Sequence, residues 1–144
     1  ISFNQDAHKA TVSQNGKTNY KVAPNTQDRL SAFYYARTLD MENISVGQEF
    51  EIQTFFDREM YPLKFKFLGK EVIETDLGAF NCLKFRPMVE KGRVFKEEED
   101  MTLWVSDDAN KVPIRLKTDL LVGSIEMDLV EYKNLIRPLN KLKK

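Results

Sequence analysis

The chain has 144 residues, with 22 Lys and Arg against 22 Asp and Glu, so its formal net charge is zero. This length suits a single domain that holds a core without a metal or a disulfide. Binding to a nucleic-acid backbone needs an excess of positive charge, which this composition does not provide. The single Cys82 excludes an internal disulfide and a multi-cysteine metal site. No apolar run is as long as the roughly 18 residues that a transmembrane helix needs.

The N-terminal segment predicts a polar β-hairpin. Asn15-Gly16, a dipeptide that type I′ turns prefer, separates a strand that begins near His8 from a return strand over 17–22. The lone His8 is interpreted as a surface strand residue. Because the chain starts at Ile1 within strand-like sequence, we expect a mature or truncated chain that lacks N-terminal strands of the full-length protein.

One helix is predicted, over about residues 27–38. Four residues share the spacing of one helical face, i, i+3, i+4 and i+7: Leu30, Phe33, Tyr34 and Arg37. Ala32, Tyr35 and Ala36 widen the apolar surface. We expect a face this wide to pack on the sheet or to plug the end of a barrel, with a ligand contact as the alternative for Tyr34 and Tyr35. Asn25 or Thr26 is predicted to cap the helix, and Asp28 to place a favourable charge in its first turn.

Alternating apolar and polar residues predict strands through most of the remaining chain. The first three cover 48–56, 60–75 and 79–89, with turns at 57–59, 76–78 and 91–93. Gly69 interrupts the alternation within the second of these strands, which indicates a bulge or a bend. In the third strand apolar residues fall on both faces, so we expect it to be covered on both sides.

The segment 101–132 predicts three antiparallel strands joined by two turns. The buried face of the middle strand is predicted to hold Val112, Ile114, Leu116 and Leu120. The buried face of the last strand is predicted to hold Ile125, Met127 and Leu129. The charge run at 96–100 is interpreted as a solvated loop or strand start, with a cation site as the alternative. The basic tail over 133–144 is expected to fray at its end.

About eight short strands and one helix indicate a mainly β fold. Only the segment 25–46 is long enough for a crossover between parallel strands, so an antiparallel meander is the economical topology. A sheet with one wet face must curl or cover its dry face. We therefore predict a single domain over 1–144, in which the meander curves into a barrel or half-barrel with the helix packed on it.

No motif carries a catalytic signature. Ser106-Asp107-Asp108 lacks the Gly-x-Ser-x-Gly context of a nucleophile elbow, and the acidic residues with Asn110 lack the spacing of a calcium loop. A β-turn capped by Asp and Asn side chains is the favoured interpretation. Carboxylate pairs such as Asp57 and Glu59 leave a hydrolase as a third hypothesis. No catalytic residue, metal ligand or cofactor is predicted.

Large aromatic side chains, Phe95 among them, are numerous for one small sheet. They are interpreted either as core or as the lining of a concave face that holds a lipid or another apolar ligand. The candidate ligand-binding residues are Tyr34, Phe56, Tyr61, Phe65 and Trp104.

Five segments together resemble a known family: 28–37, 69–80, 104–116, 122–125 and 129–132. The third reads Trp104-Val-Ser-Asp-Asp-Ala-Asn-Lys-Val-Pro-Ile-Arg-Leu116. In this order the segments are similar to the bacterial domain of unknown function family 3108. The resemblance implies a protein exported to the periplasm or cell envelope of Gram-negative bacteria, with a curved antiparallel sheet in the style of periplasmic lipoprotein carriers. It implies no known activity.

The leading hypothesis is a non-enzymatic cell-envelope protein that binds a lipid or another apolar ligand on a curved sheet. The alternative is a structural or protein-interaction module that uses the exposed edge of the hairpin at 9–22. The expected partners are an apolar small molecule or another envelope protein. Neither a nucleic-acid partner nor a transmembrane segment is expected.

Overall fold

The computed structural model describes residues 1–88, 100–120 and 122–142. The chain divides into two compact units. Unit one holds residues 1–39 and 51–63, and unit two holds residues 40–50 and 64–144. The predicted turn at 91–93, Phe95 and all but the last residue of the charge run at 96–100 lie outside the described residues.

Unit one contains a three-stranded antiparallel sheet in the order β1 (Ser2–Asn4), β2 (Lys9–Ser13) and β3 (Lys17–Lys21). The predicted hairpin is confirmed, because β2 and β3 pair around Asn15 and Gly16, whose φ angles are both positive at 54° and 119°. His8 is exposed at the turn before β2. One cluster forms the core of this unit: Ala10, Val12, Val22 and Phe55, with Phe3 and Tyr20 packed against it.

Helix α1 (Arg29–Ala36) also belongs to unit one and starts at a capping box built on Asp28. Oδ1 of Asp28 accepts the backbone N–H groups of Leu30 and Ser31, both at 2.8 Å, and the Ser31 hydroxyl accepts the Asp28 N–H at 2.9 Å. The cap predicted at Asn25 or Thr26 is therefore wrong by two or three positions. The Ser31 N–H above all favours the charged carboxylate and lowers the pKa of Asp28.

The predicted packing of the wide apolar face of α1 is confirmed at Ala32 and wrong at Leu30, Phe33 and Tyr34. Ala32 is its fully buried residue, whereas the large side chains at positions 30, 33 and 34 are exposed. Gln27, just before the helix, is tied to the neighbouring strand by two main-chain bonds of 2.9 Å, to Gln53 and Phe55. These bonds hold the start of the helix close to that strand. A close approach leaves room for alanine rather than for leucine or phenylalanine.

A second sheet has six strands in sequence order, joined as a meander. They are β4 (Glu49–Phe56), β5 (Glu59–Thr75), β6 (Gly78–Met88), β7 (Asp100–Ser106), β8 (Pro113–Asp119) and β9 (Ser124–Asp128). β4 and β5 contribute residues to both units, and the later strands belong to unit two. The predicted mainly β fold and antiparallel meander are confirmed. Since β4 and β9 stand at opposite ends of the order, the described strands form an open sheet rather than a closed barrel.

Two β-bulges interrupt the ladder of unit two. The first lies between Phe67 and Gly69, which has a φ of 131°, so the irregularity predicted at this glycine is confirmed. At the second, Trp104 pairs with Arg115 while Val105 pairs with Pro113, which leaves Ile114 as an extra residue. The extra residue reverses the side-chain phase of β8, so the prediction that Ile114 and Leu116 share a face is wrong.

Strand β6 is buried on both faces, as predicted. On one face Phe80 and Cys82 belong to a buried cluster completed by Ile73, Trp104 and Ile114, with Leu77, Leu129 and Leu139 packed against it. On the other face Phe85 joins a group of phenylalanine rings contributed by β4 and β5.

The last strand departs from expectation. All five residues of β9 are exposed, so the predicted burial of Ile125 and Met127 is wrong; β9 is the end strand of the order and has one strand neighbour. In the tail, the Leu142 N–H donates to the Ala79 carbonyl at 2.8 Å, and the end that was expected to fray, residues 143 and 144, lies outside the described residues. The tail therefore returns to β6 and pairs with its first residues.

Candidate binding surface

The exposed side of helix α1 carries a stripe of large apolar side chains. The side chains of Leu30, Phe33 and Tyr34 are 75%, 54% and 68% exposed. Positions three and four apart lie on the same side of a helix, so these three side chains are neighbours. A group of exposed large apolar side chains of this kind is typical of an interaction surface.

Two guanidinium groups accompany the aromatic rings of this region. The Arg29 guanidinium carbon lies 4.0 Å from the ring centroid of Phe56, and that of Arg37 lies 5.9 Å from the centroid of Tyr34. Both distances fit a cation–π contact. We name the set formed by Leu30, Phe33, Tyr34, Phe56 and Arg29 the α1 surface.

The five residues predicted to line a ligand site lie in three separate settings. Tyr34 and Phe56 belong to the α1 surface of unit one. Tyr61 is half-buried in the same unit, and its backbone carbonyl accepts the Thr54 hydroxyl. Phe65 and Trp104 are buried in unit two. Only the first two residues therefore share a surface.

Phe65 is part of a group of aromatic rings that pack on one another. It stacks on Phe50 with a centroid distance of 5.3 Å and an interplanar angle of 13°, and it meets Phe85 edge-on at 5.6 Å. Phe67 contacts Phe85 at 5.4 Å. Offset-stacked and edge-to-face pairs at these distances stabilise a core beyond simple burial.

Trp104 is anchored by a polar contact. Its indole Nε1 donates to Glu71 at 2.9 Å, and the Lys84 ammonium lies 3.0 Å from the same carboxylate and 5.2 Å from the indole ring. The Trp104 N–H is the main reason why the pKa of Glu71 lies below its usual value. This arrangement fixes the indole in the sheet.

The polar groups that suggested chemistry hold a turn in place. Asp108 Oδ1 accepts the Ser106 hydroxyl at 3.0 Å and the backbone N–H groups of Asn110 at 2.8 Å and Lys111 at 3.3 Å. The β-turn interpretation is thus confirmed. Burial, above all, raises the pKa of the Cys82 thiol to about 12, so this thiol is protonated. Among the described residues no group of three or more His, Cys, Asp or Glu side chains is arranged to hold a metal ion.

Two open depressions lie in unit two, and neither includes a predicted ligand residue. One, of about 420 Å³, is lined by residues 132–139 of the C-terminal segment. The other, of about 190 Å³, lies over β8 and β9 and is lined in part by Pro113, Leu116 and Met127. Both are shallow sites on the surface, unlike the enclosed apolar pockets that bury most of a ligand.

The ligand-binding residues predicted from the sequence do not include Leu30, Phe33 and Arg29, although the first two belong to the predicted helical face. The signal that identifies them is on the opposite side of the same helix. Ala32 and Ala36 place small residues four apart, and such a face can approach a strand closely. A helix with a small-residue face and a large apolar face has two candidate packing sides, and here the small one is buried.

The fold and this surface define a mainly β protein with an apolar helix face exposed on its first unit. The model of the family described as Protein of unknown function (DUF3108) matches residues 1–130, and the chain belongs to this family. No significant match is found among curated proteins or among solved structures. Within the described part of the chain, no helix has the length and apolar character needed to cross a membrane.

Proposed function

We propose that this protein is a non-enzymatic component of the bacterial cell envelope that engages lipid through the α1 surface. The observation that carries the proposal is the outward direction of Leu30, Phe33 and Tyr34 on a helix whose opposite side is anchored by Ala32. Three large apolar side chains exposed together on one helix are typical of a surface that contacts a partner.

The shape of the surface favours a lipid layer over a single enclosed acyl chain. The side chains stand on the outer face of a helix, so they present a convex strip rather than a pocket. We infer that the helix lies in the plane of a membrane interface, with its apolar residues at the acyl boundary and its cationic groups among the head groups. Arg29, beside Phe56, and Arg37, beside Tyr34, are suitably placed for the second role.

The expected strength is that of weak, reversible docking. Full burial of one leucine or phenylalanine contributes about 1.5–3 kcal/mol, and the residues of the α1 surface are already partly covered. A single myristoyl chain, with an association constant of about 10⁴ M⁻¹, is a reasonable comparison. Stable residence at a membrane would then need a second contact.

The non-enzymatic and envelope parts of the proposal have separate support. Ser106, Asp108 and Glu71 are committed to structural hydrogen bonds, and the Cys82 thiol is buried and protonated. The envelope assignment is supported by the resemblance to exported proteins of Gram-negative bacteria.

Vesicle flotation tests the proposal. The protein is mixed with vesicles of phosphatidylethanolamine and phosphatidylglycerol, and the bound fraction is measured for wild type and for the Leu30→Ser/Phe33→Ser variant. We expect wild type to float with the vesicles and the variant to bind at least about tenfold more weakly, a factor that corresponds to 1.4 kcal/mol.

Val122→Ser provides the matched control, because Val122 is 91% exposed and lies in unit two, outside the α1 surface. It should bind like wild type. Equal binding of wild type and the double variant, or no binding by wild type at any lipid concentration, would overturn the proposal.

A second candidate, a protein-interaction module, is favoured by the exposure of β9. This end strand has two exposed apolar side chains, Ile125 and Met127, next to the shallow depression over β8. The hairpin edge predicted from the sequence is less suited to bind a partner strand. Lys17 and Lys21 lie in β3, and lysines on an edge strand disfavour pairing with another strand. An envelope protein that cross-links to β9 in living cells, and no longer does so after Met127→Lys, would support this candidate.

A further inference from the structure

The C-terminal segment 137–142, which we name the strap, lies beside β6 where β7 leaves off. Strand β7 pairs with β6 from Phe85 to Cys82, and one further bond follows, from the Asp107 N–H to the Asn81 carbonyl at 2.9 Å. The strap takes the next positions along β6: Lys141 forms an antiparallel bridge with Phe80, and Asn81 N–H donates to the Asn140 carbonyl at 3.3 Å. Without the strap, the Asn81 N–H and the Ala79 carbonyl of β6 would lose these main-chain partners.

The turn after β7 contacts the strap largely through hydrogen bonds to the backbone of the strap. Asn110 donates to the Arg137 carbonyl at 2.8 Å and accepts the Arg137 N–H at 3.4 Å. Asp108 Oδ2 accepts the Asn140 N–H at 2.7 Å. Hydrogen bonds to backbone groups can form with an extended peptide of any sequence. These contacts therefore fix the direction and register of the strap but do not select its side chains.

Two strap side chains add selectivity. Leu139 is partly buried and packs against the cluster that contains Phe80 and Cys82. The Asn140 side chain donates to the Asp107 carbonyl at 3.0 Å and accepts from Asn81 Nδ2 at 3.3 Å. The position therefore favours an apolar residue followed by asparagine. We name the receiving residues, 78–81 of β6 and 107–110 of the turn, the seat.

The strap is held by few buried contacts. Apart from the partly buried Leu139, its residues are exposed, and so is most of the connection before it, where Ile136 is 94% exposed. Segments with little buried apolar surface and solvent-exposed hydrogen bonds open locally at low free-energy cost. The family match ends at residue 130, so it contains the whole seat and none of the strap.

We propose that the seat is a binding site for extended peptide segments that present leucine followed by asparagine, and that the chain's own strap occupies it in cis. A competing peptide binds by strand addition after the strap has lifted away. The strap thus limits access to the site, because a tethered segment has a higher effective concentration than a free one.

Cys82 reports the opening of the strap, since it is the only cysteine in the chain and lies fully buried in the cluster under Leu139. We would measure the rate at which a thiol reagent labels Cys82 in the full chain under native conditions. Leu139→Asp should raise this rate at least about tenfold, the factor that corresponds to 1.4 kcal/mol of lost strap binding. Ile136→Asp, a change at an exposed position just before the strap, is the matched control and should label like wild type.

A synthetic peptide with the sequence of residues 135–142 then tests the seat itself. Added to the Leu139→Asp chain, it should slow Cys82 labelling towards the wild-type rate in a saturable manner. The same peptide with aspartate in place of Leu139 and alanine in place of Asn140 should not slow the labelling.

Asn140→Ala, which keeps Leu139, serves as a second opened variant if far-UV circular dichroism shows that Leu139→Asp does not fold. Protection of Cys82 by the cognate peptide alone supports the proposal. Labelling of the opened variants at the wild-type rate overturns it, and so does fast labelling that the cognate peptide fails to slow.

Discussion

Asp28 decides where helix α1 begins. Its carboxylate accepts two backbone N–H groups of the first turn, and the backbone N–H of Asp28 donates to the Ser31 hydroxyl. The helix therefore starts at position 29. This start determines the direction in which each following side chain points around the helix axis. The side of the helix that faces solvent depends on this start, so one capping residue helps to orient the whole α1 surface.

Removal of this cap should destabilise the protein measurably. Asp28→Ala is expected to lower the free energy of unfolding by about 1 kcal/mol near neutral pH, as loss of an N-cap usually does. Asp28→Asn, which keeps a capping oxygen, should retain most of the stability. Urea denaturation of the three proteins provides the comparison, and equal stability of the alanine and asparagine variants would contradict this account.

The same cap predicts a pH dependence. The pKa of Asp28 in the folded protein is lowered from its ordinary value of 3.8, chiefly by the Ser31 N–H. A lowered pKa means that the stabilisation is fully present above the unfolded-state pKa and is lost as the pH falls through the folded-state value. The stability advantage of wild type over Asp28→Asn should therefore stay constant above about pH 5 and decrease as the pH falls further into the acid range. A difference that stays constant down to the acid limit would contradict the shift.

Trp104 and Glu71 form a second pair that a titration can test. Trp104→Phe removes the indole N–H that is the largest cause of the lowered Glu71 pKa. We expect the Glu71 pKa to rise towards its ordinary value when its carboxyl carbon is followed by NMR. Asp128, whose pKa is held low mainly by its bonds to Arg115, is an internal control and should not move. An unchanged Glu71 titration would show that Lys84 alone holds this carboxylate.

At the scale of elements, the turn between β5 and β6 combines backbone strain with a neighbouring chain segment. Gly78 is the first residue of β6 and has a φ of 121°, a backbone conformation that residues other than glycine rarely adopt. A Cβ at this position would also meet the Lys141 side chain of the strap. The backbone requirement is the harder of the two, because the lysine end is flexible.

Gly78→Ala should accordingly cost about 1–3 kcal/mol of stability, the usual range for a residue held in a strained backbone region. Thermal or urea unfolding measures this loss, and Lys141→Ala alone should be nearly neutral. Combining the two changes separates the contributions. Little recovery in the double variant is expected, whereas full recovery would mean that the lysine contact, and not the backbone angle, is limiting.

Element types and pairing were accessible from sequence because they depend on local pattern. Alternation, the Asn15-Gly16 turn and Gly69 sufficed for the meander, its first hairpin and one bulge. The second bulge was not visible, because nothing at Ile114 distinguishes an inserted residue from ordinary alternation. The burial of β9 was misjudged for another reason: alternation predicts two unlike faces, but it does not reveal whether another element covers the apolar one.

At the scale of the whole molecule, the sequence identified aromatic residues but not their grouping. Tyr34 and Phe56 share a surface of unit one, while Phe65 and Trp104 lie in different buried groups of unit two. A list of large rings cannot separate core from surface, since both are apolar. The strap was missed because its partners are 27 or more positions away along the chain, at Asn81 and in the turn after β7.

A fluorescent reporter within the α1 surface tests the proposed contact between this surface and lipid. Tyr34→Trp adds an indole to the exposed stripe, and the native Trp104 contributes a constant background because it is buried in unit two. Ile136→Trp places an exposed indole elsewhere in the chain as the control, at a position that is 94% exposed against 68% for Tyr34. Emission of both variants is measured with vesicles that contain lipids with plain or brominated acyl chains. We predict that the emission of Tyr34→Trp shifts to shorter wavelength and is quenched by the brominated chains, while that of Ile136→Trp does neither. A Tyr34→Trp response no larger than that of the control would contradict the account.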